Sequence, residues 1–203
     1  MAQRYIAVAG NIGAGKSSLI DFLCSHFEVK PFLERNSTNP FFADFYKDMK
    51  RWAFHSQMYF LTQKFNVHLE LDNSSGTVIQ DRTIYEDAEI FAHNLYLQKC
   101  MSKAEYSTYR DLYETITETI NPPDLLIYVE CPVRTLKKRI AKRGREAEVG
   151  IQDEYLKRLH RLYSNWIKKY DRSPVLNFST DKADYLEDFI SRHDLLNTIK
   201  QHL

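Results

Sequence analysis

The stretch Gly10-Asn11-Ile12-Gly13-Ala14-Gly15-Lys16-Ser17 satisfies the pattern G-x-x-x-x-G-K-[ST]. Glycines at that spacing let successive backbone N–H groups turn into a concave nest suited to phosphate oxygens. A helix that follows adds the attraction of its positive end. Lys16 then reaches the β- and γ-phosphates of a nucleoside triphosphate, and the Ser17 hydroxyl is placed to coordinate Mg²⁺. Ser18 extends the candidate ATP-binding stretch into that helix. A second group of charges, Asp81, Arg82, Glu86 and Asp87, begins where the apolar pair Val78-Ile79 stops. Charge at the end of a buried strand is costly unless something binds it. A third group, Lys137, Lys138, Arg139, Lys142, Arg143 and Arg145, surrounds Gly144.

These groups need elements to carry them, and the pattern around them alternates between short apolar runs and long amphipathic segments. Strands are expected at Tyr5–Ala9, Glu28–Leu33, Thr77–Gln80, Leu125–Val129 and Pro174–Phe178, with a helix at Lys16–His26 directly after the glycine-rich loop. Strands separated by helices imply βαβ crossovers and a parallel sheet. Between the second and third strands, Phe54, Met58, Leu61, Phe65 and Leu69 step by three and four and predict the buried stripe of one helix. Gln57, Phe60 and Lys64 lie on a neighbouring stripe and can point at a common target. Lys103–Ile120 reads as a further helix, ended by Asn121-Pro122-Pro123-Asp124. Its Tyr106, Tyr109, Leu112, Tyr113 and Ile116 form an apolar stripe that suits either packing within the chain or pairing between subunits.

Bulk properties narrow the classes. A chain of 203 residues with 43% apolar content can bury one core of ordinary size, and no linker or repeat divides it. One domain over 1–203 is expected. A net charge of +1 argues against nucleic acid or an anionic membrane as partner. No apolar run approaches the roughly 20 residues that span a bilayer, and the short apolar start lacks the long core of a signal peptide. Three scattered cysteines, Cys24, Cys100 and Cys131, suit a reducing, cytoplasmic compartment rather than zinc or disulfides.

A GTPase would carry a guanine-reading Asn-Lys-x-Asp after a later strand, and the chain has none. A motor ATPase would end its third strand in several apolar residues and an acid; here Arg82 follows Asp81 directly. A cation beside the transferred phosphoryl group points to a small kinase. In the basic segment, Arg139 and Arg143 are four apart on one helical face, and Gly144 then lets Arg145 swing inward with Arg143. A lid at about 139–150 closing over phosphates fits this arrangement. A solvated helix face and a nucleic-acid patch are the other readings of such a run.

The stretches GNIGAGKS, NPFFADFYKDMKRWAFHSQMYFL, TVIQDRTIYEDAEIFAHNLY, PPDLLIYV and RIAKRGREAE together resemble the deoxynucleoside kinase family, most closely its bacterial deoxyadenosine and purine deoxynucleoside kinases. The resemblance implies a three-layer P-loop kinase fold: a five-stranded parallel sheet flanked by helices, with a helical insert and a lid. It implies transfer of the γ-phosphoryl of ATP, with Mg²⁺, to the 5′-hydroxyl of a deoxynucleoside in nucleotide salvage, by a homodimer. By the same resemblance Glu34 is the general base, Tyr46 binds the 3′-hydroxyl with Glu148 of the lid, and Gln57 pairs with the base edge. Phe60 belongs to the same nucleoside-binding group. Asp81 helps hold Mg²⁺, Arg82 fixes the 5′-oxygen and the catalytic acid, Lys64 and Asp87 line the base pocket, and Phe91 packs on the base. Lys16, Arg82, Arg143 and Arg145 neutralise the charge of the transferring group.

Deoxyadenosine is the expected acceptor, with deoxyguanosine and deoxycytidine open, because Lys64 and Asp87 suit adenine, guanine or cytosine. Arg35, where many relatives have proline or an acid, is expected to pair with Glu34 and lower its basicity. Ala147 replaces an acid that some relatives carry. Glu86 is expected to be a solvated acid at a helix N-terminus. A thymidylate-type kinase would need further cations for its acceptor phosphate, and a nucleotide-sensing protein would not need Glu34.

Overall fold

A computed structural model describes residues 4–34, 38–145, 151–181 and 189–201. Five strands, β1 (Arg4–Ala9), β2 (Val29–Phe32), β3 (Thr77–Asp81), β4 (Leu125–Glu130) and β5 (Val175–Ser179), form one parallel sheet in the order β2-β3-β1-β4-β5. The strand expectations hold to within one or two residues. Pro31 is tolerated because β2 is an edge strand, where a missing N–H costs least. In β1 the period of two is explicit: Ile6 and Val8 join one core cluster, and Tyr5, Ala7 and Ala9 another.

Helices cover both faces. α1 (Lys16–His26), α7 (Val133–Arg143) and α9 (Phe189–Lys200) bring Leu19, Leu136, Leu195 and Ile199 to the first cluster. α3 (Met49–Asp72) and α8 (Asp153–Ile167) bring Leu71, Leu159 and Tyr163 to the opposite one. The insert, with α2 (Phe42–Lys47), part of α3 and α6 (Lys103–Thr117), builds a third cluster around Leu61, Tyr85 and Tyr109. No helix among the described residues is long and apolar enough to cross a membrane.

The stripe expected on α3 changes, and the stripe on α6 meets the first of its two readings. In α3 only Leu61 of the predicted apolar stripe is buried; Phe54, Met58 and Phe65 are half-buried, and Leu69 is exposed. The inner face instead carries Ser56, Gln57, Lys64 and His68. Of these, Lys64 reaches Glu34 and the end of β3, Ser56 accepts from Asn39, and His68 packs edge-on to Tyr5. In α6, Tyr109, Tyr113 and Ile116 are buried within the chain, leaving Leu112 exposed. After β3, α4 (Ile84–Glu86), a π turn (Asp87–Ala92) and α5 (His93–Leu97) run on without a break. A π turn inserts one residue into the helical repeat and redirects side chains, a distortion frequent at functional sites.

Candidate active site

All five strands run the same way, so their C-terminal ends and the loops after them share one edge of the sheet. The glycine-rich loop follows β1, Glu34 lies two residues past β2, and Asp81 ends β3 with Arg82 directly after it. Gly10 holds φ 154°, and a Cβ there would lie 2.8 Å from the Val129 carbonyl oxygen of β4. The residue must be glycine for the loop to cross the neighbouring strand so closely. Lys16 is buried, with Nζ donating to the carbonyls of Gly10 (3.0 Å) and Asn11 (3.4 Å). Burial, reinforced by Arg82, lowers its ammonium to about 8. The Ser17 hydroxyl donates to Asp81 Oδ2 at 3.4 Å, while the buried Asp81 Oδ1 has no hydrogen-bond partner among the described residues.

Glu34 is clamped from two sides. Lys64 Nζ lies 3.2 Å from Oε1, and Arg82 Nε donates to Oε2 at 3.1 Å. Burial pushes the Glu34 carboxyl up, but Lys64 and Arg82, with Lys16 behind them, bring it down to about 2. Lys64 also donates to the carbonyls of Asp81 (3.2 Å) and Arg82 (2.9 Å). An ammonium has three N–H donors, so these partners occupy all of them. Lys64, expected to line the base pocket, joins Glu34 to the end of β3. Lys64 and Arg82 lower the basicity of Glu34; Arg35, expected to pair with Glu34, lies outside the described residues.

Arg82 adopts a left-handed backbone (φ 64°), and its N–H donates to Val8 (3.0 Å). Its guanidinium lies 4.4 Å over the Phe91 ring, so the π turn presents Phe91 to Arg82. Asp87, on the same turn, is 4% exposed; burial raises its carboxyl to about 7 against the opposing pull of Lys64, and Oδ2 has no hydrogen-bond partner among the described residues. Gln57 Oε1 is likewise buried without a partner. Buried polar atoms left open in this way fit a ligand that completes them. Tyr46 and Phe60 both meet Phe42 edge-on, at 5.2 and 6.3 Å between centroids, at the α2–α3 corner.

The basic segment divides. Arg139 lies against the phosphate loop: it donates to Ala14 O (2.9 Å), Thr180 Oγ1 (2.8 Å) and Thr180 O (3.0 Å), strapping the loop to the end of β5. Arg143 and Arg145 are exposed on either side of Gly144, which caps α7 with φ 62°. Glu148 and Ala147 lie outside the described residues.

Two residues at the centre carry no obvious signal in the sequence. Glu86, expected in solvent, is 0% exposed. Its Oε2 accepts from Thr83 N–H (2.8 Å) and its Oε1 from Gly10 N–H (3.1 Å) and the Tyr163 hydroxyl (2.8 Å). Tyr163, on α8, accepts in turn from Arg82 Nη1 at 3.0 Å. The Thr83-x-x-Glu86 spacing signals a capping box, which the structure contains. Nothing local announces the second carboxylate oxygen reaching the phosphate loop.

A family model described as deoxynucleoside kinase matches residues 6–203. The chain is 38% identical over 196 residues to the deoxyadenosine/deoxycytidine kinase of Bacillus subtilis (strain 168), covering 96% of this chain and 90% of that protein. It is 36% identical over 203 residues to a deoxyguanosine kinase of Lactobacillus johnsonii, covering 96% of this chain and 90% of that one. Among solved structures, deoxyadenosine kinase from M. mycoides with bound dATP superposes with a TM-score of 0.85 at 29% identity, covering 97% of this chain and 99% of that one.

Proposed function

The chain belongs to the deoxynucleoside kinase family, and from that premise we propose that it transfers the γ-phosphoryl of ATP to the 5′-hydroxyl of a deoxynucleoside, with deoxyadenosine the preferred acceptor. The observation that carries this reading is the end of β3. Asp81 faces the phosphate-loop hydroxyl of Ser17, and the next residue, Arg82, grips Glu34. Donor and acceptor machinery thus meet on adjacent residues.

In this reading Gly10–Ser18 and Lys16 hold the triphosphate, and Glu34 receives the 5′-hydroxyl proton. With two cations on it Glu34 is a weak base. As phosphate oxygens draw Arg82 towards the transferring group, the carboxylate regains basicity at the position where it is needed. Arg82, with Lys16, Arg143 and Arg145, offsets the charge spreading over that group. Arg139 acts on ATP through the loop it braces. Ser17 and Asp81 would hold Mg²⁺, which the open Asp81 Oδ1 supports. The ion supplies charge neutralisation at the phosphates. Gln57 and Asp87 read the base, Phe91 and Phe60 wall it, and Tyr46 with Glu148 binds the 3′-hydroxyl. Lys64 orients Glu34.

The whole chain, 1–203, acts as one domain with a lid at about 139–150, works in the cytoplasm in nucleotide salvage, and forms a homodimer. Half-buried Phe54, Met58, Phe65 and Tyr106 at the margin of the insert cluster, with Leu112 exposed, support pairing. Deoxyguanosine and deoxycytidine are the alternative acceptors, since the similar proteins include kinases named for each. Radiolabel transfer from ATP to a panel of nucleosides tests the assignment. Transfer to a nucleoside monophosphate and to no nucleoside would overturn it.

A further inference from the structure

We propose that Glu86 and Tyr163 are positioning residues that hold Arg82 for phosphoryl transfer and lock it to the phosphate loop. The inference rests on the kinase reading above. A continuous hydrogen-bonded chain runs from Glu34 Oε2 to Arg82 Nε (3.1 Å), from Arg82 Nη1 to Tyr163 Oη (3.0 Å), from Tyr163 Oη to Glu86 Oε1 (2.8 Å), and from there to Gly10 N (3.1 Å). One end is the acid that faces the acceptor, and the other is the first glycine of the loop that cradles the donor.

The direction of each bond is fixed. Arginine only donates, so the Tyr163 oxygen accepts from it and the single phenolic hydrogen goes to Glu86. Glu86 is surrounded by donors alone: Gly10 N–H, Tyr163 O–H, Thr83 N–H and Thr83 Oγ1 (3.3 Å). An ionised carboxylate satisfies all four. A glutamine would turn an N–H₂ group towards at least one of them. That is why a glutamate occupies a position with no exposure and no cation among its described hydrogen-bond partners.

Arg82 needs such a hold. It starts from a left-handed backbone, lies over the Phe91 ring, and answers two pulls, Glu34 at Nε and Tyr163 at Nη1. The Tyr163 hydroxyl keeps the guanidinium beside the loop rather than folded wholly onto Glu34. Because Tyr163 belongs to α8, which follows the expected lid segment, the helix, Arg82 and Gly10 keep one register.

The test is Tyr163→Phe, which removes one oxygen and keeps the ring that stacks on Tyr128. Kinetics are measured for ATP and the preferred nucleoside, alone and in an Arg82→Lys background. A lysine has no second nitrogen to reach the hydroxyl. The expected result is a kcat roughly 10- to 100-fold lower with both KM values within about twofold, and less than about twofold further loss in the Arg82→Lys background. Wild-type kcat in the single variant, or losses that multiply in the double variant, overturns the proposal. If Tyr163→Phe does not fold, Glu86→Gln carries the same comparison. If neither folds, the residues serve stability alone and the positioning role is wrong. The wild-type arm separates the two readings: no transfer to any nucleoside sinks the kinase assignment, whereas an active wild type with an unimpaired variant sinks only the chain.

Discussion

Lys64 Nζ stands 3.2 Å from Glu34 Oε1, and its two other donors hold the carbonyls of Asp81 and Arg82. One lysine on the insert helix thus joins the acid after β2 to the end of β3. The contact sets the charge state of Glu34 as well as its place, since Lys64 is the strongest of the cations opposing its burial.

Lys64→Met should leave Glu34 buried with Arg82 as its remaining direct cation partner among the described residues. Removing one member of a buried pair typically costs about 3–5 kcal/mol. Glu34 is held below its ordinary value of 4.5, at about 2, so its contribution is present above pH 4.5 and lost as pH falls towards 2. In the variant that carboxyl rises, and the acid side of the kcat/KM profile moves up in pH. Urea unfolding at several pH values, together with the pH–rate profile, checks both statements. An unchanged profile would remove Lys64 from the control of Glu34.

Asp87 titrates in the opposite sense. Burial raises its carboxyl from 3.8 to about 7, so the folded protein holds a proton that the unfolded chain has released. Between those values stability falls as pH rises. Asp87→Asn cannot ionise, so its Tm relative to wild type should improve by a few degrees between pH 5 and pH 8. Scanning calorimetry at the two pH values measures the difference, and a constant offset would show that Asp87 is already ionised at pH 5.

Arg139→Met should remove the guanidinium that ties Ala14 to Thr180, leaving their direct hydrogen bond (3.1 Å), without touching the acceptor side. The loop loses its brace, so KM for ATP is expected to rise roughly five- to tenfold while KM for the nucleoside stays within twofold. A rise in the nucleoside KM instead would place Arg139 elsewhere in the mechanism.

Much of this architecture was legible in the residues. The phosphate loop announces itself because its glycines answer to backbone geometry that no other residue meets, as Gly10 against Val129 demonstrates. The strands were readable because burial on both faces leaves an unbroken apolar run, as at Leu125–Val129. The face of α3 was legible in part: Gln57 and Lys64 lie on the stripe expected to point at a common target, but the stripe expected to be buried was not the inner one. Gln57, Lys64 and His68 are inside, and Leu69 is outside. Glu86 illustrates the other limit. Its cap at Thr83 is a four-residue matter and can be read locally. Its bonds to Gly10 and Tyr163 span 76 and 77 positions and arise only when β1, β3 and α8 come together.

His68 closes the account of that inner face. It is 1% exposed, lies edge-on to Tyr5 at 5.7 Å, and its Nε2 has no hydrogen-bond partner among the described residues. Burial, aided by nearby Lys64, lowers its imidazole from 6.5 to about 4. The folded protein therefore keeps it neutral where the unfolded chain takes up a proton, and stability attributable to this group is lost as pH falls from 6.5 towards 4. Asp87 works against that loss over part of the same range, so the wild-type curve alone does not isolate either group. The difference between wild type and His68→Leu does. Leucine is neutral at every pH, and the stability gap between the two proteins should shift in favour of the variant by up to about 3 kcal/mol from pH 7 to pH 4, at about 1.4 kcal/mol per unit. Glu34 contributes identically to both proteins and drops out of the difference. Denaturant unfolding of the pair at half-unit pH steps gives the curve. A gap that stays flat across this range would mean that His68 is charged in the fold or that Lys64 and Tyr5 leave it room to protonate.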